Sequence, residues 1–178
     1  MRALIVYESM FGNTGSIARA VAEGLSPYLH VEAVPVRDAP DLIDTGIDLL
    51  VVGGPTHAFG LSRESTRRAA ADQGADSMAA HGTGLREWLA GVGRSAACAR
   101  VATFDTRVAG SSGRPKAPGS AARRAARRLR SRGTELIVPP MSFLVSDTAG
   151  PLLPGEVDRA RRWAAGIGSL MRGVESGV

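Results

Sequence analysis

Between Ser9 and Ser16 the chain places three hydroxyl side chains, Ser9, Thr14 and Ser16, around Gly12, Asn13 and Gly15, with no acidic residue among them. The chemistry open to such a stretch is anion binding. Small residues let the backbone close on a ligand, and the first turn of a following helix has amide N–H groups with no partner inside the helix. Those amides, with the hydroxyls, suit a phosphate. The flanks supply the supports. Leu4-Ile5-Val6-Tyr7 reads as a strand, and Ile17, Ala18, Val21, Ala22 and Leu25 recur at helical spacing, so the expected order is strand, tight loop, then a helix from about 13 to 24 stopped by Gly24.

Two further loops follow strand patterns. The run 47–52 is apolar almost without alternation, as in a strand covered on both faces, and it leads into Pro55, Thr56, His57, Ala58, Phe59 and Gly60. A fourth strand over 99–105 leads into a Gly-, Ser- and Pro-rich loop expected to start at Thr106 and run to Gly119. Residues 29–36 read as a strand whose Pro35 confines it to a sheet edge. Helices are expected over 63–73, around Leu85, Trp88, Leu89 and Val92, after the N-cap Ser120, and at the C-terminal end, with Val157, Ala160, Ala164, Ile167 and Met171 inward. The fifth strand is expected over 135–138. Residues 139–155, with a short apolar piece at Phe143-Leu144-Val145, read either as an insertion in the last strand or as a lid over the sheet edge.

This five-fold alternation implies an α/β fold of three layers, a parallel sheet with helices on both faces. In a doubly wound sheet ligands sit beyond the carboxyl ends of the strands, so the three loops should converge. At 178 residues the chain fits one domain, 1–178. No apolar run reaches the roughly 18 residues of a membrane span, no secretory signal is visible at Met1-Arg2, and a lone Cys98 excludes an internal disulfide. The expected address is cytoplasmic, with no membrane partner, and Cys98 reads as a buried, inert thiol.

The formal charge of +5 is concentrated in arginine. Arg123, Arg124, Arg127, Arg128, Arg130 and Arg132 surround the Ala122, Ala125, Ala126, Leu129 stripe and are expected to lie in water. Such a helix could instead dock an acidic redox partner in a salt-sensitive way. Nucleic acid is not an expected partner, because no stacking aromatics are interleaved with the arginines.

Ile5, Val6, Tyr7, Ser9, Gly12, Thr14 and Ala18 stand at the spacings of the flavodoxin signature, and over nearly its whole length the chain resembles the flavodoxin family. The resemblance implies a flavodoxin-like doubly wound five-stranded parallel sheet in the order 2-1-3-4-5, and a non-covalent FMN. Its phosphate would be held by Ser9, Met10, Phe11, Gly12, Asn13 and Thr14. The flavin ring would lie between Pro55, Thr56, His57, Ala58, Phe59 and Gly60 on one side and Asp105, Thr106 and Arg107 on the other. Catalytic residues proper are not implied, since the flavin carries the chemistry and the protein sets binding and potential.

Pro55-Thr56-His57-Ala58-Phe59-Gly60 is also similar to the Pro-Thr-Arg-Phe-Gly loop of flavodoxin-like quinone reductases. The expected function is an electron-transfer protein between a cytoplasmic reductase and an acceptor. The alternatives are an FMN-dependent NAD(P)H:quinone reductase, in which His57 could donate a proton, and a flavin-free regulatory or scaffolding domain.

Overall fold

A computed structural model describes residues 1–57, 59–92 and 99–175. Ala58 and Cys98, each singled out in the sequence, lie outside the described residues. Strands β1 (Arg2–Tyr7), β2 (His30–Pro35), β3 (Leu49–Pro55), β4 (Arg100–Val108), β5 (Glu135–Leu136) and β6 (Met141–Val145) form one parallel sheet in the order β2-β1-β3-β4-β5, with β6 also on β4. Helices α1 (Asn13–Leu25), α2 (Glu64–Ala71), α3 (Ser77–His81), α4 (Leu85–Gly91), α5 (Ala121–Arg130) and α6 (Glu156–Glu175) complete the chain. Among the described residues no helix is long and apolar enough to cross a membrane.

Alternation along the strands builds two cores. Leu4, Val6, Leu50, Val52 and Val101 pack with Leu85, Leu89, Ala125 and Leu129 of α4 and α5. Ala3, Ile5, Leu49, Val51, Ala102 and Phe104 pack with Ile17, Val21, Ala160, Ala164 and Ile167 of α1 and α6. Both faces of β3 are therefore covered, as its unbroken apolar run demands. β2 lies at the edge, where Pro35 needs no ladder donor.

The edge beyond β4 differs from the expectation. The fifth strand stops after two residues because Pro139 and Pro140 have no N–H to donate, and β6 then resumes pairing with β4 from Phe104↔Met141 to Val108↔Val145. The sheet thus has six strands rather than five. Phe143-Leu144-Val145 is part of a strand, and that partner extends β4 to Val108. Thr106 and Arg107 are consequently strand residues, not the start of a loop.

Gly24 does not stop the first helix, which continues to Leu25 with Ser26 as its cap. Its hydrogen-only side chain lets α6 approach: a Cβ there would stand 2.4 Å from the backbone oxygen of Arg161 and 2.8 Å from Ala164 Cβ. The arginines of α5 also depart from expectation, since not all are simply solvated. Arg128 donates to the Arg86 carbonyl at 2.7 Å, and Arg132 to those of Leu89 and Ala90, fastening α4 to α5.

Helix propensity alone gives Gly→Ala a gain of about 1 kcal/mol; at Gly24 the backbone of α6 cannot yield, and overpacking of about 1–3 kcal/mol prevails. Gly24→Ala is accordingly expected to destabilise the protein in urea unfolding, and an increase in stability would show that the α1–α6 contact is looser than this.

Candidate functional site

At the end of β1 the backbone turns through Gly12, the N-cap of α1, at φ 84°, a conformation that favours glycine. No side chain caps the helix at this residue and no acid occupies its first turn. Ser9 Oγ accepts from the Gly15 amide at 3.1 Å, leaving its own proton to donate. Thr14 Oγ1 meets Thr106 Oγ1 at 2.8 Å in a buried contact that ties α1 to β4, and Asn13 Nδ2 donates to the Ala149 carbonyl at 2.9 Å.

The second loop is fixed from behind by Asp105. Its side chain is fully buried, and Oδ2 accepts from Thr56 Oγ1 at 2.9 Å, Ser120 Oγ at 2.5 Å and the Ala122 amide at 3.1 Å. Thr56 Oγ1 in turn accepts from the Ala121 amide at 2.9 Å, and the Thr56 amide donates to the Thr106 carbonyl at 3.0 Å. The Asp105 carboxylate points into the N-terminus of α5, on the strand face that it shares with Val101 and Thr103. Ser120 caps α5 as its sequence position requires, its Oγ accepting from the Arg123 amide.

His57 and Gly60 exchange backbone hydrogen bonds of 2.8 and 2.9 Å around a tight turn. At its tip Phe59 adopts φ 71° and is 54% exposed. A left-handed conformation in a bulky non-glycine residue persists only where the surroundings enforce it. Here Arg124 Nε donates to the Phe59 carbonyl at 3.1 Å, and Gly119 presses against the same residue so closely that a Cβ would lie 2.4 Å from that oxygen.

Two adjoining hollows open between these loops. One of about 210 Å³ is lined by Ser9, Met10, Phe11, Asn13, Thr14, Pro55, Thr56, His57 and Thr106, together with Val108, Val145 and Thr148. The next, of about 260 Å³, is lined by Thr56, Phe59 and Arg107, with Val108, Lys116, Ala117, Pro118, Asp147 and Thr148. Together they fall within the roughly 300–1,000 Å³ of small-molecule sites. Gly60 and Asp105 line neither hollow, and Gly12 lines a further one of about 500 Å³ that also takes in Ser9, Met10, Phe11, Gly15 and Arg19. The stretch 145–148 was not expected here; its signal was the apolar piece 143–145, which a sixth strand carries to the site.

Beneath the site lies a second unexpected group. Glu8, next to the anion loop, is buried and its Oε2 accepts from the Leu85 amide at 2.7 Å, while Arg67, also buried, reaches Ser62 Oγ at 3.2 Å and Glu87 Oε2 at 3.1 Å. Burial pushes the Glu8 carboxyl above its ordinary 4.5, against the lowering effect of Ser62, the Leu85 amide and Arg67. Burial, reinforced by Arg67, holds His57 below its ordinary 6.5, so at neutral pH it faces the smaller hollow as an uncharged imidazole that donates and accepts hydrogen bonds.

Among solved structures, the chain is similar to a flavodoxin from the domain Archaea, with 19% identity and a TM-score of 0.62 over 97% of this chain and 99% of that one. It is similar to oxidised Flavodoxin 2 from Bacillus cereus, at 18% identity and 0.60, over 95% and 99%. It also matches the flavodiiron core from Synechocystis, at 13% identity and 0.59, over 98% of this chain but 36% of that one. No family model and no curated protein matches the chain. The fold is flavodoxin-like, and its strand order is that of the class.

A carboxyl whose pKa is raised on folding keeps its proton longer in the native state, so as pH rises through 4.5 the unfolded chain ionises first and stability declines. Glu8→Gln keeps an oxygen acceptor for Leu85 and abolishes that decline. The stability difference between Glu8→Gln and the parent protein, measured by denaturant unfolding at about pH 4 and about pH 7.5, should grow in favour of the variant at the higher pH; His57 is common to both proteins and cancels. A pH-independent difference would place an ionised, well-solvated carboxylate at Glu8.

Proposed function

We propose that this chain binds FMN without a covalent bond and serves as an electron carrier between a reductase and an acceptor protein. The observation that carries the reading is the αL turn at Gly12, which leaves Ser9, Asn13 and Thr14, at the acid-free N-terminus of the 13-residue α1, lining a hollow that shares Thr56, Val108 and Thr148 with a second one beside Phe59 and Arg107. The residues present fit the group. A helix N-terminus carries roughly half a positive charge, enough with hydroxyl and amide donors to hold a phosphate without a lysine. The ring end offers one exposed aromatic, Phe59, and the cations Arg107 and Lys116 against one acid, Asp147.

When bound, the flavin supplies the electron chemistry. The chain supplies the rest: Ser9 and the first-turn amides anchor the phosphate, Thr14 and Thr106 hold the two sides of the hollow together, and His57 offers a neutral hydrogen-bonding imidazole. The flavodoxin-like fold of the archaeal and Bacillus cereus proteins supports the reading.

Titration of the purified protein with FMN and with riboflavin, followed by quenching of flavin fluorescence, tests it. Riboflavin lacks only the phosphate and should bind roughly a hundredfold more weakly. Equal affinity for the two, or none for FMN, would refute the phosphate assignment. Added to the loaded protein, NADH or NADPH should reduce the flavin slowly without a reductase, with or without a quinone; rapid turnover with quinone would identify a quinone reductase instead.

A further inference from the structure

The outward face of α5 is arginine at every position from Arg123 to Arg130 that does not pack inward, and neither the fold nor the flavin reading uses it. On its α4 side it merges with Arg63, at the N-cap of α2, and Arg86 of α4. Three of these side chains are held in place by main-chain oxygens. Arg86 donates to the carbonyls of Ser62 at 2.8 Å and Leu61 at 2.6 Å, Arg128 to that of Arg86, and Arg124 to that of Phe59. Among the described residues none of Arg63, Arg86, Arg123, Arg124, Arg127 and Arg128 is in an ion pair, and the neighbouring Glu87 is taken by Arg67. The crowding is sufficient to hold the Arg86 guanidinium below its usual range, first through desolvation and then through repulsion by Arg128, Arg63 and Arg124.

We infer that this arginine face, with the exposed Phe59 at its margin, is a docking surface for an acidic patch on a partner protein. Guanidinium groups such as those of Arg123 and Arg127 match carboxylates in paired hydrogen bonds, and the carbonyl-bound Arg86, Arg124 and Arg128 add fixed positive charge beside them. Arginine around one exposed aromatic is the composition of interface hot spots. The surface is the convex side of a helix, not a groove, and its single aromatic offers no series of platforms for stacked bases, which favours a protein over a nucleic acid. Because Arg124 grips Phe59, which walls the hollow beside Arg107, a partner seated here would stand beside the flavin edge. That last consequence rests on the FMN reading; the docking itself does not.

The test uses the full chain, with and without FMN, titrated with labelled polyglutamate and with an oligothymidylate of equal charge. Polyglutamate should bind saturably and equally well to both forms, with affinity falling at least about tenfold from 0.05 to 0.3 M salt. Arg123→Glu/Arg127→Glu, which touches none of the carbonyl-bound arginines, should weaken it about tenfold, whereas Arg19→Glu/Arg162→Glu on α1 and α6, reversing the same number of charges, should change it less than about twofold. Circular dichroism confirms that both variants are folded. Equal loss in the two variants, absence of saturable binding, or tighter binding of oligothymidylate would overturn the inference, the last in favour of a nucleic-acid surface. Since apoprotein and loaded protein are read separately, failure of FMN to bind leaves this result interpretable.

Discussion

Asp105 is the constraint on which the geometry of the site depends. A carboxylate with no solvent exposure must be compensated by donors, and here one oxygen collects Thr56 from the second loop, and Ser120 and the Ala122 amide from the start of α5. Through Thr56 the loop is also bonded to β4, and through Thr106 β4 is bonded to Thr14 of α1. Three strand ends are thereby locked to one another before any ligand arrives. This preorganisation leaves Phe59 as the exposed tip of an otherwise fastened loop.

Much of this was legible in the sequence where the signal is local. The strand, glycine turn and helix around Ser9–Thr14 follow from residue type and period, Pro35 marks an edge strand, and Ser120 announces a cap; all three stand as read. What escaped is non-local. The strand β6, five residues long, follows a Pro-Pro break, and the strand it pairs with, β4, lies more than thirty positions earlier. Thr106 and Arg107 were read as the start of a loop because the length of β4 depends on that same pairing, although the Val101, Thr103, Asp105 alternation already placed Asp105 on the α5 face. Gly24 shows the same limit: a glycine near a helix end has the local meaning of a stop, while its use here is the close approach of α6.

The charge distribution separates this chain's surface from its site. The loop proposed to hold a phosphate offers amides and hydroxyls as donors, and the arginines are gathered on α5 and its neighbours instead. Several of them serve the fold by binding carbonyls of α4 and of the Phe59 turn. One set of side chains thus fastens the helices behind the site, shapes the loop beside it and presents a cationic face to solvent. The buried Glu8 and Arg67 show the opposite arrangement, ionisable groups withdrawn from water directly beneath the anion loop.

Asp105 holds in place the loops proposed to bind FMN. The dissociation constant of FMN for Asp105→Ala, taken with a far-UV spectrum that verifies the fold, tests this most directly. Loss of three hydrogen bonds to one carboxylate predicts a folded protein whose FMN affinity is at least about tenfold weaker. A folded Asp105→Ala that binds FMN as tightly as the parent would show that Asp105 does not hold the loops for FMN.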